Sequence, residues 1–220
     1  MLIGCQALYS TCVDDAIRVF TRIFKEFGLP SRIRTDNGVP FATNTLGRLS
    51  RLSAWWLKLG IIPELIQPGK PQQNGRHERM HRTLKRETTR PPAGNLQAQQ
   101  RKFNRFIDEF NTERPHDALD GQTPNQWYRF SSREFPNRLE PFEYPDRFET
   151  HLVSTNGGFR GQSHRVRAST TLAGDYIGLE EIDDGTWDVW FGPVIIGRFH
   201  ERHLRIEDAF GRLKRHHHAD

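Results

Sequence analysis

Apolar positions along the chain change their period twice, and the changes divide it into three parts. Leu2 to Ser10 is apolar and β-compatible and predicts a first strand. Asp14 and Asp15 then suit a helix N-terminus. Ile17, Phe20, Phe24 and Phe27 follow at helical spacing as far as Gly28 and Pro30. Ser31 to Thr35 predicts a short strand ending at Asp36. Leu46 to Leu59 predicts a second helix, with Leu49, Leu52, Trp55, Trp56 and Leu59 on its apolar side and both tryptophans in the core. Ile61 to Ile66 predicts a further strand, so the expected order is strand, helix, strand, helix, strand, helix.

Pro68, Gly69 and Pro71 are turn residues, and Asn74-Gly75 forms a cap from which a helix runs to about Thr88. Its only apolar seam is Met80 and Leu84, which suits a surface helix better than a buried one. Leu96 to Thr112 predicts the next helix, stopped by Pro115, and Thr123-Pro124 opens a short one through Trp127 and Tyr128. The proline- and charge-rich residues 131–150 read as a linker. From His151 onward the period becomes that of strands, in runs such as His164–Arg167, Tyr176–Leu179, Trp187–Phe191 and Val194–Ile196. Gly-rich and Asp-Gly turns separate them, and the pattern predicts a small β-barrel over 151–207. Residues 208–220 read as a disordered basic tail.

Composition narrows the class. The 220 residues are 35% hydrophobic and 27% charged, which predicts a protein with much polar surface. No apolar run is long enough to span a bilayer and the N-terminus lacks a signal-peptide layout, so no membrane partner and a cytoplasmic location are expected. Cys5 and Cys12 are too few for a disulfide or metal framework. The net charge of +5 is unevenly spread: Gln67 to Phe106 holds ten Lys or Arg against two acids, whereas Ile107 to His151 holds ten acids against five Arg. A polyanion-binding surface is expected on the first of these segments.

The same segment carries the candidate chemistry. Glu78 shares a helix face with Arg82 and Lys85, and Arg76, Arg79 and Arg86 surround it. Read alone, this is a solvated basic helix in which Glu78 balances its neighbours. His77-Glu78-Arg79-Met80-His81 also has the H-E-x-x-H form of zinc proteases. Arg79 inside the motif, Arg76 and Arg82 beside it, and the lack of a third ligand at a suitable spacing count against that metalloprotease alternative. Asp36, before Asn37-Gly38, reads by itself as part of a tight turn, but the C-terminal end of a strand is also where α/β sheets hold ligands.

Three ordered motifs resemble one family. RTDNGVPF at Arg34 to Phe41, PGKPQQNGRHERMHRTLK within Gln67 to Glu87, and FNTERPHDALDGQTPNQWY at Phe110 to Tyr128 look like the catalytic core of bacterial insertion-sequence transposases of the DDE type, relatives of retroviral integrases. The resemblance implies an α/β fold over 1–130, an RNase H-like mixed sheet with flanking helices, here with its first strand missing, before the C-terminal β-barrel. It implies metal-dependent phosphodiester cleavage and strand transfer on DNA. Asp36 would be the second and Glu78 the third catalytic carboxylate, holding Mg²⁺ or Mn²⁺. It implies DNA as partner, both transposon ends and target, contacted by Lys70, Gln73, Asn74, Arg76, Arg79, Arg82 and Lys85, and a homo-oligomer when full length. The barrel's position resembles that of the DNA-binding barrel of integrases, which would make Arg160, Arg165 and Arg167 phosphate contacts; read alone, the pattern fits a generic interaction barrel equally well.

The sequence departs from the family pattern in two places. Forty-one residues separate Asp36 from Glu78, more than in retroviral integrases. The family's first aspartate lies on a strand upstream of a segment like Leu2 to Ser10. The expectation is therefore a truncated transposase, inactive as written. The alternative is a catalytically dead DNA-binding remnant, and the bacterial family places either at the nucleoid.

Overall fold

The computed structural model describes residues 1–67, 75–161 and 164–208, with Arg76 described in its backbone alone. Lys70, Gln73, Asn74, the turn residues Pro68, Gly69 and Pro71, and nearly all of the tail lie outside the described residues. The chain is mixed α/β, as its periodicity predicts: two strands with flanking helices precede a sheet-rich C-terminal part. It divides into two compact units that do not follow chain order. One comprises Met1–Asp36 and Glu64–Pro136, the other Asn37–Pro63 and Asn137–Asp220.

In the first unit, helix α1 (Val13–Phe27) has Asp14 and Asp15 in its first turn and Lys25 in its last, as the macrodipole favours. Its apolar stripe buries Phe24 and half-buries Ile17, Phe20 and Phe27. Gly28 ends it at φ 79°, where a Cβ would lie 2.4 Å from the Ser131 carbonyl oxygen, so glycine is required twice over, by conformation and by space. The chain returns here: Ser131 N donates to Phe27 O and Leu29 N to Arg133 O. Strand β1 (Arg32–Thr35) pairs with β2 (Ile62–Leu65). Arg32 and Arg34 both donate to Glu64, at 2.9 and 3.1 Å, and these bonds hold its carboxyl below the usual range. Helix α3 (Gly75–Thr88) packs on α4 (Leu96–Thr112), and α4 on the short α5 (Pro124–Trp127). Asn95 caps α4 through Ala98 N, and a Thr123–Gln126 capping box with Pro124 opens α5.

Leu2 to Ser10 forms no strand, contrary to its apolar pattern. Among the described residues no strand lies beside it, and side-chain amides of α4 take its backbone groups instead. Asn111 accepts from Leu2 N at 2.8 Å and donates to Leu2 O at 2.9 Å. Gln100 accepts from Ala7 N and donates to Cys5 O.

The second unit holds the main core. Helix Leu46 to Leu59 is interrupted where a single helix was expected. A 3₁₀ turn at Leu46–Arg48 has Gly47 and Arg48 in the left-handed region, and α2 (Arg51–Lys58) starts afresh from a Ser50–Ser53 capping box. Trp56 is fully buried, whereas Trp55 is half-buried. Strands β3 (Phe148–Leu152), β6 (Tyr176–Asp183), β7 (Thr186–Phe191), β8 (Val194–His200) and β9 (Arg205–Asp208) form an antiparallel sheet in that order. A hairpin of β4 (Gly158–Gly161) and β5 (His164–Arg167) packs through β4 on β3 and through β5 on β9. It thus spans the two free edges of the sheet, and the unit closes into a small barrel.

Leu46, Leu49, Ala54 and Leu57 join Val153, Phe159, Val166, Ile177, Val189 and Phe191 in one core cluster. Lys58 pairs with Asp175 at 2.9 Å beside it. The segment expected to be linker is partly barrel. Phe142 stacks edge-on against Phe191 at 5.0 Å, and the Tyr144 hydroxyl donates to Trp190 O and accepts from Gly192 N. Aromatic residues within a proline-rich run have docked on the sheet, and burial raises the Tyr144 phenol pKa.

Candidate nucleic-acid interface and carboxylate site

Thr35, the last residue of β1, accepts through its carbonyl from Ile66 N, just past the end of β2, at 3.1 Å. The C-terminal ends of the two strands therefore lie side by side. Asp36 leaves from the first, and the chain leading to α3 leaves from the second. Asp36 is exposed. Glu78 is also exposed and occupies the first turn of α3, where the positive end of the macrodipole favours a carboxylate.

Helix α3 is anchored from below and charged above. Leu84 and Thr88 are buried, with the Thr88 hydroxyl donating to Leu84 O at 2.7 Å. Arg79, Arg82 and Lys85 are exposed, and Arg79 Nε reaches back to Gly75 O at 3.4 Å. Of the expected DNA contacts on this segment, those three stand on one exposed helix; Arg76 belongs to it by position. His77 and His81 are exposed with ring centroids 5.8 Å apart, and partial burial, Lys85 and His77 lower the His81 pKa.

The far end of α3 is tied down by an ion-pair network. Arg114 bonds Glu87 at 2.5 Å and Glu109 at 2.7 Å and lies over the Phe106 ring at 5.0 Å. The Arg114 bond holds the Glu87 carboxyl below its usual pKa, and the arginine's own is raised. Sequence reasoning missed this network, and the amides of Gln100 and Asn111, because contacts between positions so far apart leave no periodic trace.

In the barrel, Phe159 and Val166 point inward as a facing pair, which turns Arg160, Arg165 and Arg167 to the outer face. Arg160 stands directly opposite Arg165, and Arg165 donates to Asn156 Oδ1 at 3.2 Å. Like charges directly opposite each other on a sheet are unfavourable in isolation, and an anion relieves them.

Asp36 and Glu78 are hard oxygen donors suited in kind to Mg²⁺ or Mn²⁺. In number they fall short: among the described residues no group of three or more His, Cys, Asp or Glu is gathered that could hold an ion. The pair does not by itself make the complete site.

Residues 59–124, which include Glu78, the charged helix and the Arg114 network, match the family described as integrase core domain. That segment is similar to the integrase core family. The chain is 37% identical over 75 residues to the Gag-Pol polyprotein of baboon endogenous virus (strain M7), covering 34% of this chain and 4% of that protein. It is likewise 37% identical over 75 residues to the Pol polyprotein of feline endogenous virus ECE1, covering 34% of this chain and 7% of that protein. The chain thus spans less than a tenth of the length of these relatives. A chain in the structure of the simian T-cell lymphotropic virus intasome in complex with PP2A regulatory subunit B56 gamma aligns at a TM-score of 0.41 and 17% identity, over 80% of this chain and 60% of that one. A likeness that low does not bear on the fold. Among the described residues no helix is long and apolar enough to cross a membrane.

Proposed function

We propose that this chain is the DNA-handling part of a DDE-type transposase or integrase, with Asp36 and Glu78 as two of its three catalytic carboxylates. The observation that carries the reading is the side-by-side ending of β1 and β2, which releases Asp36 and the α3 segment from one edge within a chain that has an integrase core segment. Ligand groups in α/β sheets collect at that edge.

On this reading a third carboxylate completes the site. Asp36, Glu78 and that carboxylate would hold divalent ions, Mg²⁺ or Mn²⁺, which would supply Lewis-acid activation of a phosphodiester. The residues of this chain act on the DNA itself. Arg79, Arg82 and Lys85 neutralise phosphates beside Glu78, and Arg160, Arg165 and Arg167 do so on the barrel, which positions the duplex without reading its sequence. The protein works as a homo-oligomer on transposon ends and target DNA, as part of an insertion sequence in the bacterial cytoplasm.

The test is fluorescence anisotropy with a labelled duplex across salt concentrations, run beside a Mn²⁺-dependent nicking assay. Binding that weakens steeply with salt is expected, and Arg79→Ala, Arg82→Ala and Lys85→Ala should each flatten the slope by about one charge. Salt-independent binding, or no binding, would contradict the proposal. In a form of the protein that supplies the third carboxylate, nicking that survives Glu78→Gln would remove Glu78 from the site.

A further inference from the structure

We propose that His77 and His81 form a binding site for a transition-metal ion on the surface of α3, separate from the carboxylate site and resting on none of the functional assignment above. The two residues are one helical turn apart, at i and i+4, and so lie on one face. Both side chains are exposed, and their ring centroids stand 5.8 Å apart with the planes tilted by 43°.

A zinc ion binds imidazole nitrogen at about 2.0–2.1 Å, so two rings sharing one ion must close by about an ångström from this separation. Rotation about the exposed side-chain bonds supplies that movement. The backbone supplies the rest: Leu84 and Thr88 are buried and α3 packs on α4, so the helix that spaces the two rings is already formed before any ion arrives. The remaining coordination positions face solvent and are filled by water.

Donor chemistry decides the ion. Imidazole suits Zn²⁺, Ni²⁺ and Cu²⁺, whereas Mg²⁺ prefers oxygen and gives up its water reluctantly. The site therefore discriminates against the very ions that Asp36 and Glu78 suit. Arg79 and Lys85 stand beside the pair and oppose a dication, which limits affinity without changing the preference. A bound ion would bracket the first turn of α3, Glu78 included, because one ligand precedes that residue and the other follows it.

The test is isothermal titration with Zn²⁺ of the whole chain carrying His216→Ala, His217→Ala and His218→Ala, so that the tail histidines do not compete. One ion should bind per chain, His77→Ala or His81→Ala should each weaken it at least tenfold, and millimolar Mg²⁺ should not displace it. Amide hydrogen exchange between Met80 and Leu84 should slow with Zn²⁺, a readout independent of any DNA activity. His81→Gln, which keeps a polar side chain on the helix, should lose binding as His81→Ala does. Binding unchanged by either histidine substitution, binding lost with one and kept with the other, or displacement by Mg²⁺ would each overturn the proposal.

Discussion

The two compact units of this protein divide its labour unequally. Every one of the largest fully buried side chains, Trp56, Phe159 and Phe191 foremost, belongs to the unit of Asn37–Pro63 and Asn137–Asp220. The other unit buries a few smaller clusters around Phe24, Leu84 and Phe106, and it leaves Tyr9, Trp127 and Phe130 well exposed. Yet that thinly packed unit carries Asp36, Glu78 and the cationic helix. The barrel is closed by a hairpin and stitched by aromatic packing, whereas the carboxylate unit depends on side-chain amides and ion pairs. Stability is concentrated in one unit and candidate chemistry in the other, so substitutions in the two should separate cleanly in their effects.

The sharpest separation is expected at the carboxylates. In a form of the protein that supplies the third carboxylate, Asp36→Asn or Glu78→Gln should reduce strand transfer by several orders of magnitude. Both side chains are exposed, so thermal melting should move by no more than the equivalent of about 0.5 kcal/mol. A strand-transfer assay beside a melting curve checks both halves. A large stability loss would break the comparison as surely as retained activity.

Phe191→Ala is the converse. It empties a fully buried aromatic site in the barrel core and should cost about 3–5 kcal/mol in urea denaturation. Next in size is Gly192→Ala. Its φ of 55° already suits glycine, and the added Cβ would lie 2.4 Å from the Phe142 ring, so a loss of about 1–3 kcal/mol is expected. The double variant with Phe142→Ala should lose less than the sum of the two, because the clash disappears with the ring.

The smallest effect belongs to the carboxylate unit. Glu87 is ionised more readily in the folded chain than in the unfolded one, because Arg114 holds it. Its contribution to stability is therefore present above the usual carboxyl value of 4.5 and is lost as pH falls through the lower, folded value. Arg114→Ala should cost only about 0.3–1 kcal/mol near neutrality, given the pair's partial exposure. It should also flatten the acid arm of the stability curve below pH 4.5. An unchanged acid arm would show that Glu87 is not held by Arg114 in solution.

What the sequence disclosed follows from which forces are periodic. Helices α1, α3, α4 and α5 and strands β5 to β8 stand close to where spacing, caps and turns predict them, because one buried face imposes its period on each. Leu2 to Ser10 has the composition of a strand, but a strand is completed by a neighbour, and composition carries no information about neighbours. Gly47 and Ser50 break the helix at Leu46 to Leu59 through backbone geometry and capping that its apolar count ignores. Nothing in the order of residues shows that this segment shares a core with strands more than ninety positions later. Phe142 and Tyr144 sit in a run whose prolines suggest a linker, and only the structure shows where they dock. For the candidate site, neither spacing nor charge would have paired Asp36 with Glu78. The pairing came from motif resemblance; the structure itself brings Thr35 and Ile66 side by side.

The claim that Asp36 and Glu78 belong to one ion site is tested most directly by Mn²⁺ titration of the isotope-labelled chain, followed through paramagnetic broadening of backbone amide signals. Broadening should develop in parallel around Asp36 and around Glu78, and Asp36→Asn should weaken it at both. Broadening at only one of them, or an effect at Glu78 indifferent to Asp36→Asn, would contradict the account.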